Sequence, residues 1–289
     1  MILTVSDKKK WKAILRILKS ADVFYSWEFA KLQPNAKLYV YSNKYGMAIL
    51  PFYTSKAILN SFRYGGLLTT NYTESFHKNC SKDLLRYCRD KCIERIRIRK
   101  HPFIKTIQIG KLIKKEPFVY VDLGEKKLNL DASISKKHFS CINKARKNGV
   151  EIYESDNLKY LRIFYKMYKT LLAKKAVLPE KFSYFIEMSK YLGKDLSFSC
   201  AKYKNKIIAI SIILKSNKNL FMMYGAMTDK GYNLYAKHLM IYELILKYKA
   251  KKYSRLVLGT GNLEHDSIYK FKSAFTNRTD HIFTYEKKP

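Results

Sequence analysis

Basic side chains at two places in the sequence have the chemistry to bind phosphate groups. Lys144 and Arg146 lie within residues 138–150, a stretch without an acidic residue, and Arg63 lies beside the pair Gly65-Gly66. An arginine fork or a lysine ammonium binds phosphate through charge-assisted hydrogen bonds. Solvated surface positions explain these three residues about equally well, so the sequence leaves both interpretations open.

Two other motifs give weaker indications. Gly259-Thr260-Gly261 lacks the third glycine of a dinucleotide-binding fingerprint, so a turn at the exit of a strand is the favoured interpretation. Cys88 and Cys92 have the spacing of neighbours on one helix face, but no second pair completes a zinc pattern. The five cysteines are odd in number and irregularly spaced, which argues against a disulfide framework. We therefore expect neither a metal nor a resident cofactor.

The charge of the chain points to an anionic partner. Lys and Arg number 57 against 23 Asp and Glu, a formal net charge of +34. Such an excess attracts polyanions, including RNA, anionic lipid headgroups and acidic carrier proteins. The excess is uneven, because residues 82–115 hold twelve basic residues and three acids. A generally lysine-rich composition, with no partner implied, is the alternative.

The hydrophobic content describes a folded chain without a membrane span. Hydrophobic residues make up 47% of the 289 residues and aromatic residues 15%, which is ample for a packed core. The longest apolar run, residues 207–214, is far below the roughly 20 residues that a spanning helix needs. No secretory signal is found at the N-terminus, so we expect a cytoplasmic protein. The length predicts two domains.

The elements that must position these residues follow a repeating order. In the first half we predict a helix over residues 6–18 capped by Ser6, a hairpin of strands 38–42 and 47–53, a helix over 75–93, and strands 105–109 and 119–123. The opening helix is basic and amphipathic, which also allows a peripheral contact with an anionic membrane surface.

A second round of elements follows a polar stretch near residue 131. We predict a helix over 136–147 ended by Asn148-Gly149. Further helices are predicted over 158–174, 180–191, 235–250 and 267–275. The predicted strands are 150–153, 255–258, 281–285 and a three-strand meander of 196–202, 206–215 and 220–226. The fold class is α+β. We place a first domain at residues 1–130, completed by the C-terminal strand 280–289, and a second at residues 131–279.

Several segments of the second half resemble the Fem family of GNAT-like transferases. They are Tyr224-Gly225-Ala226, Leu256-Val257-Leu258-Gly259 and the run from Ile268 to Phe275 that contains Tyr269, Phe271 and Lys272. The helix-to-strand segment 142–152 is similar too. The resemblance covers residues 115–289 well, and the first half by layout and by Ser26-Trp27-Glu28.

The resemblance implies tandem GNAT-like domains, each a mixed and mostly antiparallel sheet flanked by helices, and transfer of an acyl or aminoacyl group to an amine. In the best-known members the donor is an aminoacyl-tRNA and the acceptor a peptidoglycan precursor. Lys272, at the position of the family's Phe-Lys lysine, is expected to stabilise the tetrahedral oxyanion. His265 and Asp266 are candidates to position or deprotonate the amine, although helix capping or a surface position is the favoured interpretation of both, particularly of Asp266. The expected substrate-binding residues are Arg63, Lys144, Arg146, Tyr224, Tyr269 and Phe271.

The residues leave donor and acceptor open. Residues 226–238 contain one glycine and bulky tyrosines where a CoA-type pyrophosphate loop would need close backbone approach, which disfavours CoA. A basic surface suits tRNA or an acidic acyl carrier protein. Residues 66–71 lack the aspartate that Fem proteins commonly carry there, so the acceptor could also be an amino sugar, a lipid-linked intermediate or a peptide. An N-acyltransferase using acyl-CoA or acyl carrier protein, and a non-catalytic RNA-binding protein, are the alternative functions.

Overall fold

The computed structural model describes residues 1–125, 133–261, 266–276 and 278–289. The chain forms two compact units, residues 1–116 with 281–289 and residues 117–280. The sequence-based boundary at residue 130 comes later than this division. The reason is that residues 118–122 pair with a strand of the second unit, Arg255–Thr260, and so belong to that unit.

The first unit is built on a mixed sheet. Its strands are β1 Ile2–Thr4, β2 Lys37–Asn43, β3 Gly46–Ser55, β4 Ile58–Ser61, β5 Leu68–Thr69, β6 Arg95–Arg99, the first half of β7 Lys111–Asp122, and β13 Thr279–Lys287. Antiparallel pairing joins β1, β2, β3 and β4 in sequence, β5 pairs with β3, and β6 lies parallel to β4 and antiparallel to β13.

Three helices cover this sheet: α1 Lys8–Ile17, α2 Trp27–Ala30 and α3 Glu74–Asp90. Helix α3 buries a stripe at four-residue spacing, Phe76, Cys80, Leu84 and Cys88, against apolar residues of β2, β3 and β6. A short 3-10 turn, Val23–Tyr25, precedes α2. The helix stripe and the alternating strand residues form one core of the unit.

Some predictions for this unit are confirmed and others are wrong. The hairpin is confirmed, with β2 and β3 joined through Asn43 and Gly46. Ser6 does not cap α1, because the helix follows Asp7, whose carboxylate accepts the N–H of Thr4 instead. Residues 105–109 form no strand beyond one isolated bridge at Ile107. Strand β6 was not predicted.

The second unit contains a six-strand sheet. The strands are the second half of β7, β8 Glu151–Ser155, β9 Leu196–Tyr203, β10 Lys206–Ser216, β11 Asn219–Met227 and β12 Arg255–Thr260, in the order β7-β12-β11-β10-β9-β8. All neighbours are antiparallel except β11 and β12, which run parallel. The predicted meander is β9, β10 and β11.

Helices lie on both faces of this sheet. They are α4 Lys136–Lys147, α5 Lys159–Ala173, α6 Phe182–Leu192, α7 Asp229–Asn233, α8 Ala236–Ala250 and α9 Ser267–Ser273. Helices α4 and α8 share a core with the sheet through Ile142, Leu239, Met240 and Leu244. Helix α5 packs on β10 and β11. The predicted α+β fold class is confirmed, and α4 has the predicted bounds.

Among the described residues, no helix is long and apolar enough to cross a membrane. The five cysteines are free thiols, of which Cys80, Cys88 and Cys200 are buried, Cys141 is half-buried and Cys92 is exposed.

Candidate active site

The parallel pair β11 and β12 separates part of the way along its length. Pairing runs from Asn219 opposite Arg255 to Phe221 opposite Val257, although β11 continues to Met227 and β12 to Thr260. Backbone groups that leave a ladder in the middle of a sheet open a space that side chains or a ligand must fill. We call the space beyond Phe221 and Val257 the strand opening.

Lys272 is held at the strand opening. Its ammonium nitrogen donates a hydrogen bond to the carbonyl oxygen of Thr260 at 2.6 Å. The preceding Gly259 has φ +83° and lies at a register shift between β12 and β7, a backbone conformation that side chains rarely adopt. A Cβ built on Gly259 would lie 3.8 Å from the Lys272 nitrogen. The end of β12 therefore fixes the position of a positive charge.

Helix α9 supplies Lys272, and its start explains the place of Asp266. The Asp266 side chain accepts the N–H of Tyr269 at 2.6 Å, which is an N-cap that satisfies a free donor of the first turn. Asp266 thus sets the start of the helix, and Lys272 is the sixth residue of that helix. The other predicted residue of this segment, His265, lies outside the described residues.

Lys237 is a second lysine at the strand opening, and the sequence analysis missed it. Its ammonium nitrogen donates to the Oγ of Ser211 on β10 and lies 3.9 Å from the Sδ of Met240. A Cβ on Gly225 would come within 2.5 Å of the same nitrogen. Burial, together with the smaller effect of the nearby charge of Lys272, lowers the pKa of Lys237 to about 7.

A signal for Lys237 was present in the sequence. Residue 237 shares a helix face with Met240, Ile241 and Leu244, at spacings of three, four and seven, and these three residues are buried. A lysine on an apolar stripe is unusual, because an ammonium is seldom buried without a partner. The high overall lysine content of the chain hid this exception.

A pair of histidines packs close to the helices that carry Lys237 and Lys272. The rings of His138 on α4 and His238 on α8 lie 4.7 Å apart, and His238 meets the ring of Phe271 at 4.9 Å. Burial lowers the pKa of both imidazoles, to about 4 for His238, where the neighbouring His138 adds to the effect. Both rings are therefore neutral at pH 7 and serve as packing surfaces.

The aromatic residues predicted to bind substrate occupy two environments. Phe271 contacts His138, His238 and Phe275 and is part of the helix packing. Tyr269 packs against the same core. Tyr224 contacts Tyr184 and other rings of α5 and α6, on the face of the sheet opposite to the one on which its neighbour Gly225 meets Lys237.

The basic residues predicted to hold phosphate are not gathered at Lys272. Arg146 donates to the carboxylate of Glu243 at 2.7 Å and lies over the ring of Tyr242, so it joins α4 to α8. The side-chain bond to Glu243 raises the pKa of Arg146. Lys144 is exposed on α4. Arg63 is exposed in the first unit, 5.9 Å from the ring of Tyr64.

The first unit contains a different kind of buried polar pair. The Nε2 of His101 lies 2.7 Å from a carboxylate oxygen of Asp22, and both side chains are fully enclosed. The Nδ1 of His101 accepts the N–H groups of Phe103 and Ile104, and the other Asp22 oxygen accepts that of Phe24. Because Nδ1 is an acceptor, Nε2 carries the proton. All polar atoms of the pair are used within the fold.

Comparison with known proteins gives a structural match and no sequence match. The sequence matches no protein-family model and no curated protein. The structure is similar to that of FemX, with a TM-score of 0.70 and 13% identity over 99% of this chain and 97% of FemX.

Two further structures agree with this match. The C-terminal domain of a putative lysylphosphatidylglycerol synthetase from Agrobacterium fabrum has a TM-score of 0.63 and 9% identity, covering 96% of this chain and 91% of that one. A tandem GNAT protein from the clavulanic acid biosynthesis pathway has a TM-score of 0.58 and 8% identity, covering 100% and 98%. The resemblance stated from the sequence is thus confirmed at the level of the fold: this chain has the tandem GNAT-like fold of FemX.

Proposed function

We propose that the protein is an aminoacyltransferase that moves an aminoacyl group from aminoacyl-tRNA to an amine of a cell-envelope precursor and forms an amide. The observation that carries this proposal is the Lys272 ammonium, held by the Thr260 carbonyl where β11 and β12 separate. A reaction at an ester carbonyl needs a fixed positive charge, and the Lys272 ammonium at the end of the β11–β12 pairing supports that role.

The chemical step follows from that arrangement. The acceptor amine attacks the ester carbonyl, and the carbonyl oxygen becomes an oxyanion in the tetrahedral intermediate. A pre-positioned ammonium stabilises this negative charge without having to reorganise during the reaction. When the intermediate collapses, the ester C–O bond breaks and the ribose hydroxyl of the tRNA leaves. No covalent bond to the protein is required.

The local geometry after β11 favours a tRNA ester over a CoA thioester. A CoA pyrophosphate needs free N–H groups on a glycine-bearing loop at a helix start. Here the N–H of Gly231 donates to its own helix cap, Thr228, and a Cβ on Gly231 would collide with the carbonyl of Ile208. The amine of Lys237 occupies the space beneath Gly225. The net charge of +34 supports a polyanionic donor.

The structural neighbours support the reaction class. The name of the Agrobacterium protein describes an amino acid joined to a phosphatidylglycerol lipid. FemX matches nearly the whole chain. The resemblance of the sequence to the Fem family implies a peptidoglycan precursor as acceptor, and we extend that class to an amine-bearing envelope precursor. The donor is a co-substrate in this proposal, so no resident cofactor takes part.

The test is a binding comparison at two salt concentrations. Three ligands are titrated into the protein: a tRNA pool charged with amino acids, the same pool deacylated, and acetyl-CoA. We expect tighter binding of the charged pool and a steep fall in affinity with salt, because phosphate contacts release counterions. Binding of acetyl-CoA with salt-insensitive, weak RNA affinity would replace the proposal by a thioester-dependent N-acyltransferase. Equal affinity for charged and deacylated tRNA, with no amide product, would replace it by an RNA-binding protein.

A further inference from the structure

Lys237 has a neutral polar environment and a neighbour of its own charge. The groups facing its nitrogen are the hydroxyl of Ser211 on β10, the sulfur of Met240 on α8 and the bare backbone of Gly225 on β11. Within the described parts of the chain, Lys237 takes part in no ion pair. A buried ammonium without a carboxylate loses hydration that nothing replaces.

Among the described titratable groups on the elements packed around Lys237, none forms an ion pair with it, and Glu243 on α8 pairs with Arg146 instead. Lys272 on α9 repels the proton of Lys237. On α8 and α4, His238 and His138 are neutral at pH 7, because burial lowers their pKa values. Tyr235, just before α8, contacts His238 through its ring. The surroundings therefore favour the neutral amine, and the pKa of Lys237 falls to about 7.

The backbone opposite Lys237 is shaped to leave its nitrogen room. Residue 225 is glycine, and any larger side chain there would meet the Lys237 nitrogen. Ser211 is paired directly opposite Gly225 in the sheet, and its hydroxyl holds the amine in place. As a whole residue Lys237 is half-buried. Both lysines lie beside the same separated strands.

We propose that Lys237 is the general base of the reaction, a role that rests on the proposed function. Its neutral amine takes one proton from the ammonium of the acceptor, and the freed amine lone pair forms the new C–N bond. When the ester C–O bond breaks, the protonated Lys237 returns its proton to the leaving ribose oxygen. The nitrogen of the tetrahedral intermediate still carries one surplus proton, which it loses to solvent water, so the amide product is neutral and each turnover releases one proton.

Other titratable groups near Lys272 are less suited to this role. Asp266 accepts the Tyr269 N–H as the cap of α9. The Nδ1 of His138 lies 3.2 Å from the hydroxyl of Ser135 at the start of α4, and its ring makes a tilted contact with His238 and an edge contact with Phe275. A base that works at neutral pH needs a pKa near 7, and Lys237 meets that condition.

The first test measures the protonation of Lys237 without any substrate. Protein with ¹³C-labelled lysine side chains is titrated by NMR from pH 5 to 11, and the signal of Lys237 is assigned by its loss in Lys237→Met. We expect a midpoint near pH 7. Lys251→Met, which removes an exposed lysine after the same helix, should leave that signal in place. A midpoint above pH 9 would overturn the proposal.

The second test compares two small nucleophiles of similar size. At pH 7 methylamine is protonated and needs a base, whereas hydroxylamine is already neutral. We expect Lys237→Met to slow aminoacyl transfer from charged tRNA to methylamine by about 10²-fold to 10⁴-fold. Transfer to hydroxylamine should change less than about tenfold. Lys272→Met should slow both reactions.

The outcomes separate the base from the proposed function. Equal loss of both reactions in Lys237→Met, or loss of neither, would overturn the assignment of the base. Wild-type transfer to hydroxylamine but not to methylamine would also overturn it, because a working base would deprotonate methylammonium. If the wild-type protein transfers to neither nucleophile, the proposed function fails instead, and the NMR midpoint still decides whether Lys237 has the neutral amine.

Discussion

The two units bury polar side chains in opposite ways. In the first unit, His101 and Asp22 use every nitrogen and oxygen in hydrogen bonds within the fold. In the second unit, the Lys237 nitrogen faces a hydroxyl and a sulfur, pairs with no carboxylate among the described residues, and lies near the like charge of Lys272. A satisfied pair supports structure, whereas an uncompensated charge lowers stability and marks a candidate functional site.

The comparison also corrects a common assumption about histidine. His101 next to a carboxylate has the composition of a catalytic dyad, yet both of its nitrogens are engaged and no lone pair is left to take a proton. Lys237 has no such partner in the described part of the chain, and its pKa lies near neutrality. Whether each polar atom has a hydrogen-bond partner distinguishes the two regions better than residue type does.

The largest expected effect is the loss of the buried pair in the first unit. His101→Phe leaves the enclosed carboxylate of Asp22 without its ring N–H and should lower the free energy of unfolding by about 3 kcal/mol. Urea denaturation checks this value. The control His281→Phe changes a partly exposed histidine of the same unit. Unchanged stability in His101→Phe would remove the contrast between the units.

Removal of the Lys272 charge should act on rate rather than stability. Lys272→Met is expected to lower the rate of aminoacyl transfer by about 10²-fold to 10³-fold, the usual cost of losing one oxyanion-stabilising group. A single-turnover assay with charged tRNA measures the rate. Lys270→Met, an exposed neighbour on α9, is the control and should keep the wild-type rate. A wild-type rate in both variants would mean that Lys272 is a structural residue.

Replacement of Lys237 should stabilise the protein in a pH-dependent way. The pKa of Lys237 is about 7 in the fold and about 10.4 in the unfolded chain, so the unfolded chain binds more protons between these values and wild-type stability rises with pH across this range. Lys237→Met lacks this dependence. The free energy of unfolding of Lys237→Met should exceed that of the wild type by about 2 kcal/mol at pH 6.5, after allowance for partial exposure of the residue. This difference should shrink towards pH 10. Urea denaturation at pH 6.5 and 9.5 checks the sign. A loss of stability at pH 6.5 would contradict the account.

The smallest effect is expected from the histidine pair. The pKa of His238 is about 4 in the fold, below its ordinary value near 6.5. The unfolded chain therefore binds an extra proton between these values, and stability falls as the pH falls through this window. His238→Gln should reduce the loss of unfolding free energy between pH 7 and pH 5 by about 1 kcal/mol. Parallel thermal melts at the two pH values measure it, and identical losses would show that His238 titrates normally.

Local sequence signals predicted part of the fold well. Helix α4 ends where Asn148-Gly149 provides a left-handed turn, and Gly149 has φ +75°. The hairpin of β2 and β3 follows from Asn43 and Gly46. Strand β6 was missed although Ile96 and Ile98 alternate with arginines, because three arginines in five residues suggested a charged surface. The Arg97 guanidinium instead meets Glu286 on β13, a partner far away in the sequence.

The candidate site was predictable only in part. Lys272 was found through its resemblance to a family motif. The position of Lys237 depends on strands β10 and β11 and helix α8 meeting at Gly225. No local sequence pattern describes that contact. The domain boundary was placed late because residues 118–122 pair with β12, which lies more than a hundred residues later in the chain. Long-range pairing of this kind is decided by tertiary packing rather than by local propensity.

The central claim is that the strand opening of the second unit transfers an aminoacyl group from tRNA. The most direct measurement is a single-turnover reaction of a tRNA pool charged with labelled amino acids, with hydroxylamine as the acceptor. We predict that the wild-type protein releases labelled hydroxamate well above the uncatalysed rate and that Lys272→Met does not. If the label stays on the tRNA with the wild-type protein, while acetyl-CoA is consumed in a parallel reaction with the same amine, the claim is contradicted.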